Sequence, residues 1–219
     1  MKFLERKIIK EIEPSLLEEA LTHSSYSNEH KNQNCKNYER LEYLGDAVLE
    51  LIISEYFYSN TDYREGVMTK KRASYVCEEA LARYAKDLGI DELIRVGHGE
   101  IGNINNTIIA DVFESVLGAI FLTHGLEISK EYIYEIVIPY IKKDFVFLDD
   151  YKTILQEYVQ TDKKSLNYVL VGEYGEAHNK TFEVEVKIDD IVYGRGIGKS
   201  KKEAEQDAAH KALILMGEE

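Results

Sequence analysis

Residues Thr107 to Leu122 read Thr-Ile-Ile-Ala-Asp-Val-Phe-Glu-Ser-Val-Leu-Gly-Ala-Ile-Phe-Leu, and no other stretch constrains the fold as strongly. Apart from Asp111, Glu114 and Ser115 the segment is apolar on every side, the pattern of a helix buried inside a core. Asp111 and Glu114 are three positions apart and share one face of that helix. An ionised carboxylate is almost never buried alone, because desolvation costs on the order of several kcal/mol. The segment contains no Lys or Arg to match its acids. A chain built on this element must wrap other helices around it and bring those acids a positive partner.

The stretch Asn37 to Leu51 offers a place for that partner. On a helix, Leu41, Leu44, Val48, Leu51 and Ile52 form an apolar stripe, and Glu39, Glu42, Asp46 and Glu50 form a second stripe opposite. Like charges at this spacing cost about 0.2–0.5 kcal/mol per pair, and no Lys or Arg is interleaved. The residues between the stripes (Tyr43, Gly45, Ala47, Leu49) are mostly apolar or small, which predicts a largely buried helix whose acids need a cation. Gly45 here, and Gly118 and Ala119 on the other helix, would let the two backbones approach closely. Glu42, Asp46, Asp111 and Glu114 offer oxygen ligands only, which suits Mg²⁺ or Mn²⁺ better than zinc. Such a site could present an activated water to a phosphodiester. Ion pairs with Arg40, Lys70, Lys71 or Arg72 are the alternative, and spacing alone leaves both open.

The remaining composition narrows the setting. A hydrophobic fraction of 44% and a charged fraction of 31% over 219 residues describe an ordinary globular chain with room for one large domain or two smaller ones. No segment reads as a signal peptide or comes near the ~20 apolar residues of a membrane span, so a cytoplasmic location is expected. Cys35 and Cys77 form no CxxC and read as free thiols. The net charge of −13 looks wrong for a nucleic-acid binder. At physiological salt, however, charges are screened over about 8 Å, so local clusters decide contact with phosphates.

In order along the chain, a helix is predicted over Leu16 to Leu21, then a polar turn beginning at Thr22-His23-Ser24-Ser25-Tyr26, where His23 reads as a structural hydrogen bonder. The acidic helix runs to about Tyr58. One Ala-rich helix is expected from Met68 to about Asp87, then a short apolar element over Ile90 to Val96 and a Gly/Asn loop over Gly97 to Asn106. A helix over Glu127 to Lys143 is expected to be interrupted at Pro139. After a join at Asp144 to Asp150 the pattern becomes α-β-β-β-α. Tyr151 to Gln160 is helical and Tyr168 to Tyr174 a strand. Thr181 to Ile188 alternates, with Phe182, Val184, Val186 and Ile188 on one face. Asp189-Asp190 turns into a strand over Ile191 to Gly196, and Ser200 caps a helix whose Ala204, Ala208, Ala209, Ala212 and Leu213 face the sheet.

Tyr38-Glu39-Arg40-Leu41-Glu42-Tyr43-Leu44-Gly45-Asp46-Ala47-Val48-Leu49 resembles the signature block of ribonuclease III, and Ile109 to Ile120 resembles that family's second block. Thr22 to Tyr26 and Arg64-Glu65-Gly66 match its flanking motifs. Asp150 to Glu157, Gly175 to Lys180 and Gly198 to Ala204 resemble the three RNA-facing segments of a double-stranded RNA-binding domain. The resemblance implies an α+β multidomain chain: an all-α endonuclease domain over residues 1–146, then a small α-β-β-β-α RNA-binding domain over residues 150–217. It further implies a homodimer that cleaves both strands of double-stranded RNA, including ribosomal RNA precursors and structured messenger transcripts. The ends would be 5′-phosphate and 3′-hydroxyl, with short 3′ overhangs. By position, Glu42, Asp46, Asp111 and Glu114 would be the catalytic carboxylates holding Mg²⁺, for which Mn²⁺ could substitute. Glu39 and Glu65 would line the cleavage valley. Tyr43 stands where the family commonly has Phe, whose ring packs across the dimer. Glu50 is given no role.

RNA contacts would come from Thr153, Gln156, Glu157, Gln160, His178, Lys180, Lys199, Ser200, Lys201 and Lys202. Short polar side chains suit ribose hydroxyls and base edges, while lysines at a helix N-terminus suit phosphates. Glu176 replaces a usual Pro and adds a negative charge beside the groove-reading loop. The loop at Gly97 to Asn106 lacks the basic residues many relatives carry. A non-cleaving RNA-binding regulator is the rival reading; the intact carboxylate set argues against it.

Overall fold

A computed structural model of the chain describes residues 3–31, 35–145, 147, 151–161, 164–175 and 180–217, with the backbone alone for residues 157 and 161. The chain divides into two compact units, Met1–Phe147 and Leu148–Glu219.

The first unit is helical: α1 Lys7–Lys10, α2 Pro14–Ala20, α3 Ser24–Glu29, α4 Glu39–Asn60, α5 Glu65–Tyr75, α6 Glu78–Leu88 and α7 Asn106–Lys142. The apolar stretch opens α7 and occupies the centre, with Val112, Phe113, Val116, Leu117, Ala119 and Ile120 fully buried. Around it pack Leu49, Ile52, Ile53 and Phe57 of α4 and Leu81, Tyr84 and Ala85 of α6. The single buried hydroxyl in this stretch, Ser115 Oγ, lies 2.6 Å from Ala20 O and 2.8 Å from Val112 O and shares its one proton between them, fastening α7 to the end of α2. Contrary to the sequence expectation, α7 is long and apolar enough to cross a bilayer by length and composition. Its apolar side chains are instead the middle of this core.

Three other expectations change. The Ala-rich helix is two helices, because Cys77 takes extended backbone (ψ 161°) and starts α6 as its N-cap. The break in α7 falls at Gly125 (φ 78°), a left-handed conformation that costs glycine nothing; Pro139 lies inside the continuous helix. The polar stretch after Leu21 becomes the short helix α3, capped by the His23 ring, which accepts from Ser25 N. Over Ile90 to Val96 the chain makes a 3-10 turn, Asp91–Leu93, and then a parallel bridge between Arg95 and Thr22.

The second unit runs α8 Tyr151–Thr161, β1 Leu166–Tyr174, β2 Thr181–Ile188, β3 Ile191–Gly198 and α9 Lys201–Met216. Its strands form an antiparallel sheet in the order β1-β2-β3. Asp189 and Asp190 both have positive φ (47° and 67°), as a two-residue type I′ hairpin requires. Val184, Val186 and Ile188 pack with Leu155 and Val159 of α8 and with Ala204, Ala208, Ala209, Ala212 and Leu213 of α9. The alternation in β2 and the alanines of α9 are thus the two sides of one core.

Candidate active site

Helices α4 and α7 cross at two glycines. A Cβ on Gly45 would lie 1.8 Å from the Glu114 carbonyl oxygen, and one on Gly118 would lie 2.4 Å from that of Leu41. Neither position can carry a side chain at this separation. The contact fixes what surrounds it: Glu42 and Asp46 lie within one turn of Gly45, and Glu114 lies one turn before Gly118. Ligand oxygens of Glu42, Asp111 and Glu114 consequently gather within 4.8 Å of one another, all three side chains half-buried.

The electrostatics show a site short of positive charge. Burial pushes the Glu114 carboxyl up to about 8, aided by the charges of Asp46, Glu42, Asp111 and Glu50 in that order. Glu42 is raised by burial, then by Asp111, Glu39 and Asp46. Burial also raises Asp111, against a hydrogen bond from Tyr38 that lowers it. Of the bases considered as structural partners, Lys71 pairs with Asp144 at 2.8 Å and Arg72 donates to Ser54 Oγ at 2.9 Å. Oxygen donors this crowded, each disfavoured as an anion, fit a hard divalent cation in both charge and ligand type.

The other candidates distribute as follows. Asp46 is exposed beside the cluster, and its charge is the largest acting on Glu114. Glu39 is exposed in the first turn of α4, near enough to raise Glu42. Glu65 does not join them: it opens α5 beside Ser54 and Tyr58. Tyr58 comes sixteen residues after Glu42, roughly 24 Å along the helix. Tyr43 is 82% exposed in the single chain. Sequence reasoning gave no role to Tyr38, whose hydroxyl donates to Asp111 Oδ2 at 2.9 Å. Glu50 is half-buried and adds to the field on Glu114.

In the second unit, Gln156 and Gln160 are exposed on α8 and Thr153 is half-buried. Lys199, Ser200, Lys201 and Lys202 are exposed where α9 begins. Two backbone donors at that end are already used: Ser200 Oγ accepts from Glu203 N at 3.2 Å, and Glu203 Oε2 accepts from Lys199 N at 2.6 Å. The three lysines add positive charge at this helix start. Lys180 pairs with Glu173 at the open end of β1 and β2. His178, Glu176 and the Glu157 side chain lie outside the described residues.

A family model for ribonuclease-III-like domains matches residues 13–141, and one for the double-stranded RNA binding motif matches residues 151–216. The chain belongs to the ribonuclease III family. It is 48% identical to "Ribonuclease 3" of Streptococcus gordonii, over 91% of this chain and 88% of that one. With "Ribonuclease 3" of Caldanaerobacter subterraneus subsp. tengcongensis it shares 46% identity, over 99% of this chain and 98% of the relative. The solved nuclease domain of the Campylobacter jejuni ribonuclease III superposes with a TM-score of 0.55 at 34% identity, covering 62% of this chain and 94% of that domain. This ribonuclease III is accordingly a double-stranded-RNA endoribonuclease, with its nuclease and RNA-binding modules in that order. The mixed fold expected from the sequence is the fold found.

Proposed function

We propose that this ribonuclease III cuts duplex RNA at the acidic cluster, with Glu42, Asp46, Asp111 and Glu114 holding Mg²⁺, or Mn²⁺ in its place. The observation that carries the reading is the gathering of three carboxylates from two helices within 4.8 Å. A bound divalent ion would supply Lewis-acid polarisation of the scissile phosphate and activation of water. The chain's own residues bind and orient it. Glu114, protonated near neutral pH without a cation, gives up its proton on binding. Asp46 and Glu39 extend the negative surface beside the cluster.

The second unit grips the duplex through Thr153, Gln156, Glu157, Gln160 and His178, and through the lysines at positions 180, 199, 201 and 202. The chain acts as a homodimer in the cytoplasm, with Tyr43 in the interface. Support comes from its exposed ring and from the Campylobacter jejuni nuclease domain, which has a region involved in dimer formation. Ribosomal RNA precursors and structured transcripts are the substrates, leaving 5′-phosphate and 3′-hydroxyl ends with short 3′ overhangs. Incubation with perfect duplex RNA tests this: Mg²⁺ should give short duplex products with 5′-phosphates, and EDTA should give none. Equal cutting in EDTA would contradict the metal assignment.

A further inference from the structure

Tyr38 is tied down on every side. The residue is only 3% exposed. Its backbone N–H donates to Thr22 O at 2.9 Å. Its ring lies against that of His23, centroids 5.7 Å apart. The segment behind it is also held. Thr22 Oγ1 donates to Glu18 O at 2.6 Å, and His23 N donates to Arg95 O at 2.9 Å. From this fixed support the hydroxyl reaches 73 residues along the chain to Asp111 Oδ2 at 2.9 Å. An aspartate on a helix can rotate its carboxyl group about two torsions. A fixed donor on one oxygen restrains that rotation and leaves the other oxygen for a different partner.

We infer that Tyr38 is a positioning residue for the metal site, its hydroxyl holding the Asp111 carboxylate in the orientation that joins Glu42 and Glu114. The inference rests on the reading of the cluster as a divalent-cation site. Donors behind a ligating carboxylate typically contribute about 10- to 100-fold to metal affinity.

The test uses the full chain and Mn²⁺ itself as the probe. Tyr38→Phe keeps the buried ring and removes the donor. Calorimetric titration without RNA should show Mn²⁺ affinity falling about tenfold or more. The Mg²⁺ concentration for half-maximal cleavage should rise by a similar factor, while duplex-RNA binding in EDTA stays at the parental level. Asp111→Asn is the companion. In its background Tyr38→Phe should cost no further Mn²⁺ affinity, because the hydroxyl acts through Asp111. An equal additional loss in that background would mean a general structural role and overturn the inference. So would unchanged Mn²⁺ affinity in Tyr38→Phe when Asp111→Asn weakens it. If Asp111→Asn itself left Mn²⁺ binding intact, the cation-site reading would fall, and this inference with it.

Discussion

Glu114 sits where folding and chemistry pull in opposite directions. Its carboxyl is raised from 4.5 to about 8 by burial and by neighbouring acids. The folded chain therefore keeps a proton that the unfolded chain releases. That contribution to stability is complete below pH 4.5 and is lost as pH rises through about 8. The loss is on the order of a few kcal/mol. Glu42 and Asp111 are shifted in the same direction. The metal-free protein is thus expected to melt at progressively lower temperature between pH 5 and pH 8.5. Glu114→Gln, which removes the titrating group, should flatten that fall and melt above the parent at pH 8. Thermal unfolding in EDTA across this range checks it; a variant with the parental pH slope would contradict the assignment. A cation relieves the same repulsion without a proton, so added Mg²⁺ should stabilise the parent most at high pH.

At the scale of elements, the crossing of α4 and α7 brings three scattered acids, Glu42, Asp111 and Glu114, within reach of one another. Gly45→Ala must push the helices apart, since its Cβ would meet the Glu114 carbonyl at 1.8 Å. Overpacking of this kind costs about 1–3 kcal/mol. Cleavage is expected to fall further than stability, because Glu42 and Asp46 move away from Glu114 with the helix. Circular-dichroism melting and a cleavage assay on the same preparation separate the two effects. Both values at the parental level would contradict the close crossing. This crossing was legible in the sequence, since Gly45 and Gly118 stood out inside two helices that each carried unmatched acids. The breaks were less legible. Cys77 and Gly125 are followed or preceded by good helix formers, and local pattern does not say that the chain must turn there. Tyr38 was hidden for a related reason: its bond to Asp111 spans 73 residues and has no local signature. The start of α9 was read correctly as capped by Ser200, but Glu203 takes Lys199 N–H as well. The proposed RNA attraction there rests on the lysine ammonium groups. Lys201→Ala with Lys202→Ala should lower duplex affinity and reduce the slope of log affinity against log salt by roughly two. An unchanged slope in filter-binding titrations would remove these lysines from the interface.

Across the whole molecule, a net charge of −13 has to coexist with a polyanionic substrate. Glu42, Asp111 and Glu114 gather where a divalent cation would fit, and Lys199, Lys201 and Lys202 are exposed at the start of α9. At physiological salt charges are screened over about 8 Å, so contact with phosphates depends on the local cluster and not on the net charge. The proposed dimer places Tyr43 in its interface. Tyr43 is 82% exposed, with Ala47 exposed one turn further along α4. Tyr43→Glu is expected to shift the sedimenting species from dimer to monomer mass, and a dimer as stable as the parent's would exclude that ring from the interface. In the proposed cleavage centre, carboxylates from two helices form one metal-dependent site. The most direct measurement compares the parent and Glu114→Gln on perfect duplex RNA in Mg²⁺, with duplex binding measured in parallel. The variant should bind the duplex as the parent does and leave it uncut; cleavage at the parental rate would show that the centre lies elsewhere.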